Sequence, residues 1–271
     1  MRKIESIKER QGIAFGVLLH FKEFCEQNQI KFMLAYGTLL GAVRHKGFIP
    51  WDDDVDVMMK RGEYEKFVSL WDNTLHPYYK FASMETDSRY FAPLGKLYDD
   101  RTLLHQEYGQ IEKQPYGVYI DVFVIDKLPD DYTEAAAFYD TSQQIRTQWG
   151  MAIRSFRAPS RSVFNFLGRI PIMIVCKYKG YKYYLKKYSE FAQKYNRKPT
   201  SHSGIIIFGE GIEKEYTESR QFDEPSEVLF EGHAFSGPND SHSYLTQMYG
   251  EYMVIPPESE RKVHPSSVYW K

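Results

Sequence analysis

One stretch, Met33 to Met59 (MLAYGTLLGAVRHKGFIPWDDDVDVMM), limits what this chain can fold into more than any other. It reads as a short apolar strand, a Gly-Thr turn, the opening of a helix, a Pro-closed loop and a second strand that carries acids. In that second strand Val55 and Val57 alternate with Asp54 and Asp56. Side chains two apart in a strand share a face. Valines turned into a core therefore leave both carboxylates pointing at one spot outside it.

Like charges held that close repel, and with no counter-charge one of them keeps its proton. A divalent cation resolves the repulsion, and carboxylate oxygens suit Mg²⁺ or Mn²⁺. Ahead of the acids, Tyr36-Gly37-Thr38 closes the first strand, which runs from Ile30 to Tyr36. Glycine there admits close approach of backbone to a ligand. The helix that follows, Thr38 to Val43, offers free N–H groups to a phosphate. A phosphate seat beside a metal seat points to phosphoryl or nucleotidyl transfer. Asp52 and Asp53 belong to an Asp-rich loop of the kind that is ordinarily a solvated turn. If the strand starts early, Asp52 shares the face of Asp54 and becomes a further metal ligand.

Tyr116 to Asp126 reads as a strand in which one interior acid, Asp121, is set among β-branched and aromatic residues. A lone carboxylate in an apolar strand is costly unless a cation or hydrogen bonds compensate it. Asp126, followed by Lys127-Leu128-Pro129, reads as the turn after the strand. Other elements follow from periodicity: a helix from Ile4 to Gln27, a helix from Glu63 to Leu70, a strand from Tyr78 to Met84 and a strand from Gly204 to Phe208.

The run AYGTLLGAVRHKGFIPWDDDVDV resembles the signature of the LicD family of phosphocholine transferases, which is related to the fukutin-type sugar-phosphate transferases. FAPLGKLYDDRTLL (Phe91 to Leu104) resembles the family's second motif, a strand carrying Lys followed by an acid and Thr. The stretch from Phe222 to Pro265 resembles its closing region: a strand pair around Phe230-Glu231-Gly232, a Pro-Asn turn, a helix ending at Tyr249-Gly250 and a Pro-Pro loop. This closing region would cover the site; His264 and Arg261 belong to its terminal loop and are left outside the set of candidates.

The resemblance implies an α/β (α+β) fold, a nucleotidyltransferase-like mixed sheet flanked by helices. It also implies transfer of phosphocholine from CDP-choline to a sugar hydroxyl of a cell-surface glycan precursor, of teichoic acid or lipopolysaccharide type, carried on lipid. Asp54 and Asp56 would bind the metal. In such folds a third acid comes from the neighbouring strand, and Asp121 fits that slot, as ligand or as the base that takes the acceptor's proton. Gly37, Thr38, Arg44 and Lys96 would seat phosphate oxygens. Arg44, which opens the triplet Arg44-His45-Lys46, suits paired hydrogen bonds. Outside the motifs, Arg44 and Lys96 would pass as ordinary surface residues. Two other activities fit the same acids: transfer of another CDP-linked sugar or polyol phosphate, and nucleotide-sugar glycosyl transfer. The leaving group separates the last from the others, a nucleoside diphosphate in place of CMP.

The chain's 271 residues suffice for one domain with a helical insertion from Asp131 to Thr200, residues 131–200, facing a membrane or the acceptor. A net charge of −1 announces no nucleic-acid partner. Cys25 and Cys176 lie far apart and form no metal or redox spacing. The N-terminus MRKIESIKERQG lacks the apolar core of a signal peptide, and no run approaches the ~20 apolar residues that span a bilayer. The expected location is cytoplasmic. Aromatic residues make up 16% of the chain, enough to fill a core, and such rings also bind quaternary ammonium groups such as choline.

Within the insertion, Asp131 to Arg154 reads as a helix. Arg154, Arg157, Arg161 and Arg169 then interleave with Phe156, Phe164, Phe166 and Leu167. The most apolar run, Ile170 to Cys176, leads into KYKGYKYYLKKY. That composition fits a segment lying on an anionic membrane surface. It also fits a core helix with a solvated, Lys-rich end.

Overall fold

A ten-residue strand, β7 (Tyr119–Leu128), forms the spine of the protein. The structure is a computed structural model that describes residues 1–106, 116–154, 163–261 and 266–271. Ahead of β7 the chain forms β1 (Arg2–Ile4), α1 (Ile7–Gln27), β2 (Met33–Leu34), α2 (Tyr36–His45), β3 (Asp56–Lys60), α3 (Arg61–Leu70), β4 (Tyr79–Ala82), β5 (Gly95–Asp99) and β6 (Thr102–Gln106). After it come α4 (Tyr132–Ile153), α5 (Val163–Lys179), α6 (Tyr181–Ala192), β8 (His202–Ile205), α7 (Ile212–Glu215) and β9 (Thr217–Glu218). The closing elements are α8 (Arg220–Asp223), β10 (Ser226–Phe230), β11 (His233–Gly237), α9 (Ser241–Tyr249) and β12 (Ser266–Trp270). The class is mixed α+β, as the sequence implies.

The main sheet runs β2-β3-β7-β5-β4, with β8 and β9 added beside the far half of β7. β3 and β7 are parallel, whereas the β2–β3, β7–β5, β5–β4 and β7–β8 pairs are antiparallel. Ile120, Val122 and Val124, on one face of β7, and Phe123 and Ile125, on the other, are all buried. Burial on both faces explains why the strand reads as a nearly continuous apolar run. α1 lies against β5 and β7, and α3 against β3 and β7.

Helix starts follow local chemistry. Ser6 caps α1 by accepting from the Glu9 backbone N–H, and Glu9 completes the Ser-x-x-Glu pattern of a capping box. Asp131 caps α4 in the same way through Glu134, and Asp240 caps α9 through Ser243. At the end of α2, Lys46 adopts a left-handed conformation, and a Cβ on Gly41 would come 2.5 Å from the Gly47 carbonyl. That return turn requires glycine at position 41.

The structure corrects several boundaries. Ile4 belongs to β1, not to the first helix, because it pairs with Val268 on β12 and Ser6 starts the helix two residues later. Tyr36 opens α2 instead of closing the strand; its φ of 42° turns the chain sharply just after β2. Regular β3 begins at Asp56, so Asp52 to Val55 form its lead-in, although the Val55 carbonyl already accepts from the Asp121 N–H. Asp126 is no turn residue: it lies inside β7, 2% exposed, and takes two hydrogen bonds from the Arg61 guanidinium and one from Asn196. β8 stops at Ile205, and Phe208 turns away at a φ of 66°.

Candidate active site

Register brings the predicted acids together. Asp56 on β3 stands opposite Asp121 on β7, and Asp121 stands opposite Lys96 on β5. Partners directly across a ladder project to the same face. Asp56, Asp121 and Lys96 therefore form one row across three adjacent strands. All three are partly buried at the strand ends, while Val55 and Val57 turn inward at 1% and 0% exposure.

The row is charged unevenly. Lys96 Nζ lies 2.5 Å from Asp121 Oδ1 and 3.4 Å from the centre of the Tyr119 ring. Burial works against the Lys96 ammonium, but Asp121 and Tyr119 outweigh it, and its pKa ends above the ordinary lysine value. Burial raises the Asp121 carboxyl, Lys96 draws it back and Asp54 pushes it up again. Asp56 fares worst. Burial and then the fields of Asp121, Asp54 and Asp52 hold it well above the usual carboxylate range, and Lys96 compensates only in part. Asp121, Asp54 and Asp52 thus all press on Asp56.

The α2 N-terminus faces the same acids. Thr38 Oγ1 accepts from the Asp56 N–H at 2.8 Å, which ties the first turn of α2 to the start of β3. Ala35 at the cap contributes no side chain to the first-turn N–H groups. A Cβ on Gly37 would stand 3.0 Å from Asp52 Oδ2, so glycine here lets the Asp52 carboxylate lie against the helix start. The loop itself is held from α1: the Gln11 side chain donates to the Ile49 and Asp52 carbonyls. Asp53 points the other way, into an ion pair of 3.2 Å with Arg10. Asp54 lines a small recess together with Tyr119, Asp53 and Arg10.

Other candidates are placed apart from the row. Arg44 donates to the Tyr252 carbonyl at 2.6 Å and to the Val254 carbonyl at 3.3 Å, fastening α2 to the closing loop; its Nε donates to His45. Arg261 stacks over Trp51, 4.3 Å from the ring centre, which holds the closing segment against the loop ahead of the acids. His264 lies outside the described residues. Among the described residues, no three His, Cys, Asp or Glu side chains gather closely enough to enclose an ion in this conformation.

Three contributors escape a sequence reading. Tyr119 supplies the ring beneath Lys96, and its spacing of two from Asp121 was the available sign that it shares that face. Tyr36 donates its hydroxyl to Glu215 at 2.8 Å, and the Ile205 and Glu210 N–H groups also donate to Glu215. Burial pushes the Glu215 carboxyl up to about 7 in spite of those bonds. Tyr249, at the end of α9 and 41% exposed, has its phenol raised by partial desolvation and then by Asp56, Glu210 and Asp52. Neither Glu215 nor Tyr249 carries a local signal, since each reaches the site only through the packing of elements distant in sequence.

Comparison with known proteins shows the chain's family. The family model described as LicD/FKTN/FKRP, nucleotidyltransferase domain, matches residues 29–167, just over half of the chain. The match takes in Asp52 to Asp56, Lys96 and Asp121. The chain is 32% identical over 269 residues to the lipopolysaccharide cholinephosphotransferase LicD of Haemophilus influenzae, covering 97% of each protein. It is also 30% identical over 118 residues to an uncharacterized protein of Rickettsia prowazekii, covering 44% of this chain and 39% of that one.

Proposed function

The chain belongs to the LicD family, and from that premise we propose that it transfers phosphocholine from CDP-choline to a sugar hydroxyl of a cell-surface glycan precursor. One observation carries the chemistry: the row Asp56–Asp121–Lys96 beside the start of α2. The similarity to the Haemophilus lipopolysaccharide cholinephosphotransferase supports the group transferred and the glycan acceptor.

The donor set fits a hard divalent cation, Mg²⁺ or Mn²⁺. It consists of carboxylates only, crowded until Asp56 is driven toward protonation. Asp54 and Asp56, with Asp52 beside them, would hold the ion, while Asp121 stays with Lys96 as the base. Bound there, the ion would neutralise charge on the donor diphosphate.

This chain's own groups do the rest. The first-turn N–H groups of α2, at Gly37 and Thr38, seat phosphate oxygens. Thr38 keeps that turn in register with Asp56 through its hydrogen bond. Lys96 offsets the negative charge of the diphosphate, and its contact with Asp121 keeps that carboxylate ionised and able to take the acceptor hydroxyl's proton. Arg44 acts from one step back, tying α2 to the closing loop that covers the site.

The test is incubation of the purified chain with CDP-choline, a divalent cation and a glycan acceptor, following CMP and choline-labelled glycan. CMP release that needs both cation and acceptor is expected. Release of a nucleoside diphosphate from a nucleotide sugar, with CDP-choline untouched, would assign the acids to glycosyl transfer instead.

A further inference from the structure

Helix α5 presents apolar side chains on both of its sides. Met173 and Cys176 point inward, 5% and 2% exposed, and Cys176 packs in a small core with Trp149, Tyr184 and Leu185. On the opposite side Ile172, Ile174, Val175 and Tyr178 are 51%, 54%, 52% and 92% exposed. At 100° per residue, Pro171, Ile174, Val175 and Tyr178 lie along one stripe, with Ile172 on its flank. A helix at the surface of a soluble protein turns polar residues to that side. Contiguous apolar exposure of this kind marks a surface with a partner.

The charge around the stripe is of one sign. From Gly168 to Ser189 the sequence holds Arg169, Lys177, Lys179, Lys182, Lys186 and Lys187 and no acid. Arg169, Lys179, Lys182, Lys186 and Lys187 are exposed on α5 and α6. The first acid after them, Glu190, pairs with Lys186 at 3.8 Å. Exposed Tyr178 ends the stripe on α5, and Lys179 lies over the ring of exposed Tyr183 on α6. Apolar stripe, aromatic edge and basic flank together match the layers of a bilayer surface: acyl chains, interface and headgroups.

We propose that the outward face of α5, with the basic side of α6, is a docking surface for an anionic lipid bilayer. The protein lies on the membrane there and does not cross it, since among the described residues no helix is long and apolar enough to span one. A second copy of the chain is the poorer occupant. A two-fold interface would set the same basic cluster against itself. The inference stands apart from the proposed chemistry, because none of these residues belongs to the row on the sheet.

Sedimentation of the full chain with vesicles tests it. Vesicles of phosphatidylcholine mixed with phosphatidylglycerol should bind the protein, more weakly as salt rises, and vesicles of phosphatidylcholine alone should bind it far less. The double variant Ile174→Asp/Val175→Asp should lose binding at least ~10-fold while unfolding at the same urea concentration as the parent. Lys182→Glu/Lys186→Glu/Lys187→Glu should lose binding and most of the salt dependence. Failure to bind anionic vesicles, or binding unchanged in the aspartate variant, would overturn the proposal. So would a concentration-dependent dimer that the aspartate variant abolishes, which would give the face to a second copy.

Discussion

The sheet site and the α5–α6 surface break the same rule in opposite directions. On β3 and β7 carboxylates are drawn toward the core, Asp56 beside Asp121, with one lysine to answer them. On α5 branched apolar side chains are pushed into water, Ile174 and Val175 each half exposed. Ordinary folding has no use for either arrangement, because each raises the free energy of the isolated chain. What differs is the missing partner. Crowded acids call for positive charge, whereas exposed aliphatic groups ringed by lysine call for an apolar phase with a negative rim. The comparison teaches that unfavourable placement, read by its sign, indicates the chemistry of what will bind.

The largest expected effect breaks the sheet half. Asp56→Asn and Asp121→Asn should each lower phosphocholine transfer by ~10³-fold, the range seen when charge stabilisation at a reacting centre is removed. Asp56→Asn should at the same time leave the melting temperature of the ion-free protein equal or higher, since it removes one of several repelling carboxylates. Full activity in either variant would show that the row is not the site.

Next in size is the ion pair within the row. Lys96→Met leaves Asp121 partly buried with no cation, and urea unfolding should show a loss of about 3 kcal/mol. The double variant Lys96→Met/Asp121→Asn should regain most of it. A similar effect belongs to Glu215. Its carboxyl is held near about 7 against an ordinary 4.5, so as pH rises the unfolded chain releases this proton first. The contribution is complete below the unfolded value and lost through the folded one: stability should fall by about 3 kcal/mol between those pH values. Glu215→Gln should flatten that slope, as measured by urea midpoints across the range.

Smaller effects sharpen the contrast. Mg²⁺ or Mn²⁺ at a hundred times its dissociation constant should stabilise the fold by ~2.7 kcal/mol, read as a thermal shift that Asp54→Asn/Asp56→Asn abolishes. Smallest is Ile174→Asp/Val175→Asp, which should change the urea midpoint by no more than ~0.5 kcal/mol in solution, because these side chains are more than half exposed. A large loss would mean that the α5 face is covered within the protein.

Much of the site was legible because strand geometry is local. The Val55/Val57 alternation was enough to turn both valines inward and leave Asp56 on the face that Asp121 shares, and the apolar setting of Asp121 marked it as a carboxylate in need of a partner. Asp126 misled for the same reason: Lys127-Leu128-Pro129 looks like a turn, and its buried partner Arg61 lies at the start of a helix far earlier in the chain. The α5 segment was legible in composition alone. Whether its apolar run faces protein or solvent depends on how α4 and α6 pack beside it.

The chain by itself determined its periodicities: which residues share a strand face, where Asp131 starts a helix, and which acids have neighbours too apolar to be idle. Such features depend on residues a few positions apart, where backbone geometry leaves few choices. Only the tertiary structure decided the register that sets Asp56 against Asp121 and Asp121 against Lys96, the arrival of Glu215 beneath Tyr36, and the side of α5 left bare. Those outcomes depend on ladders and packing between segments far apart in sequence, and no local spacing encodes which strand will lie beside which.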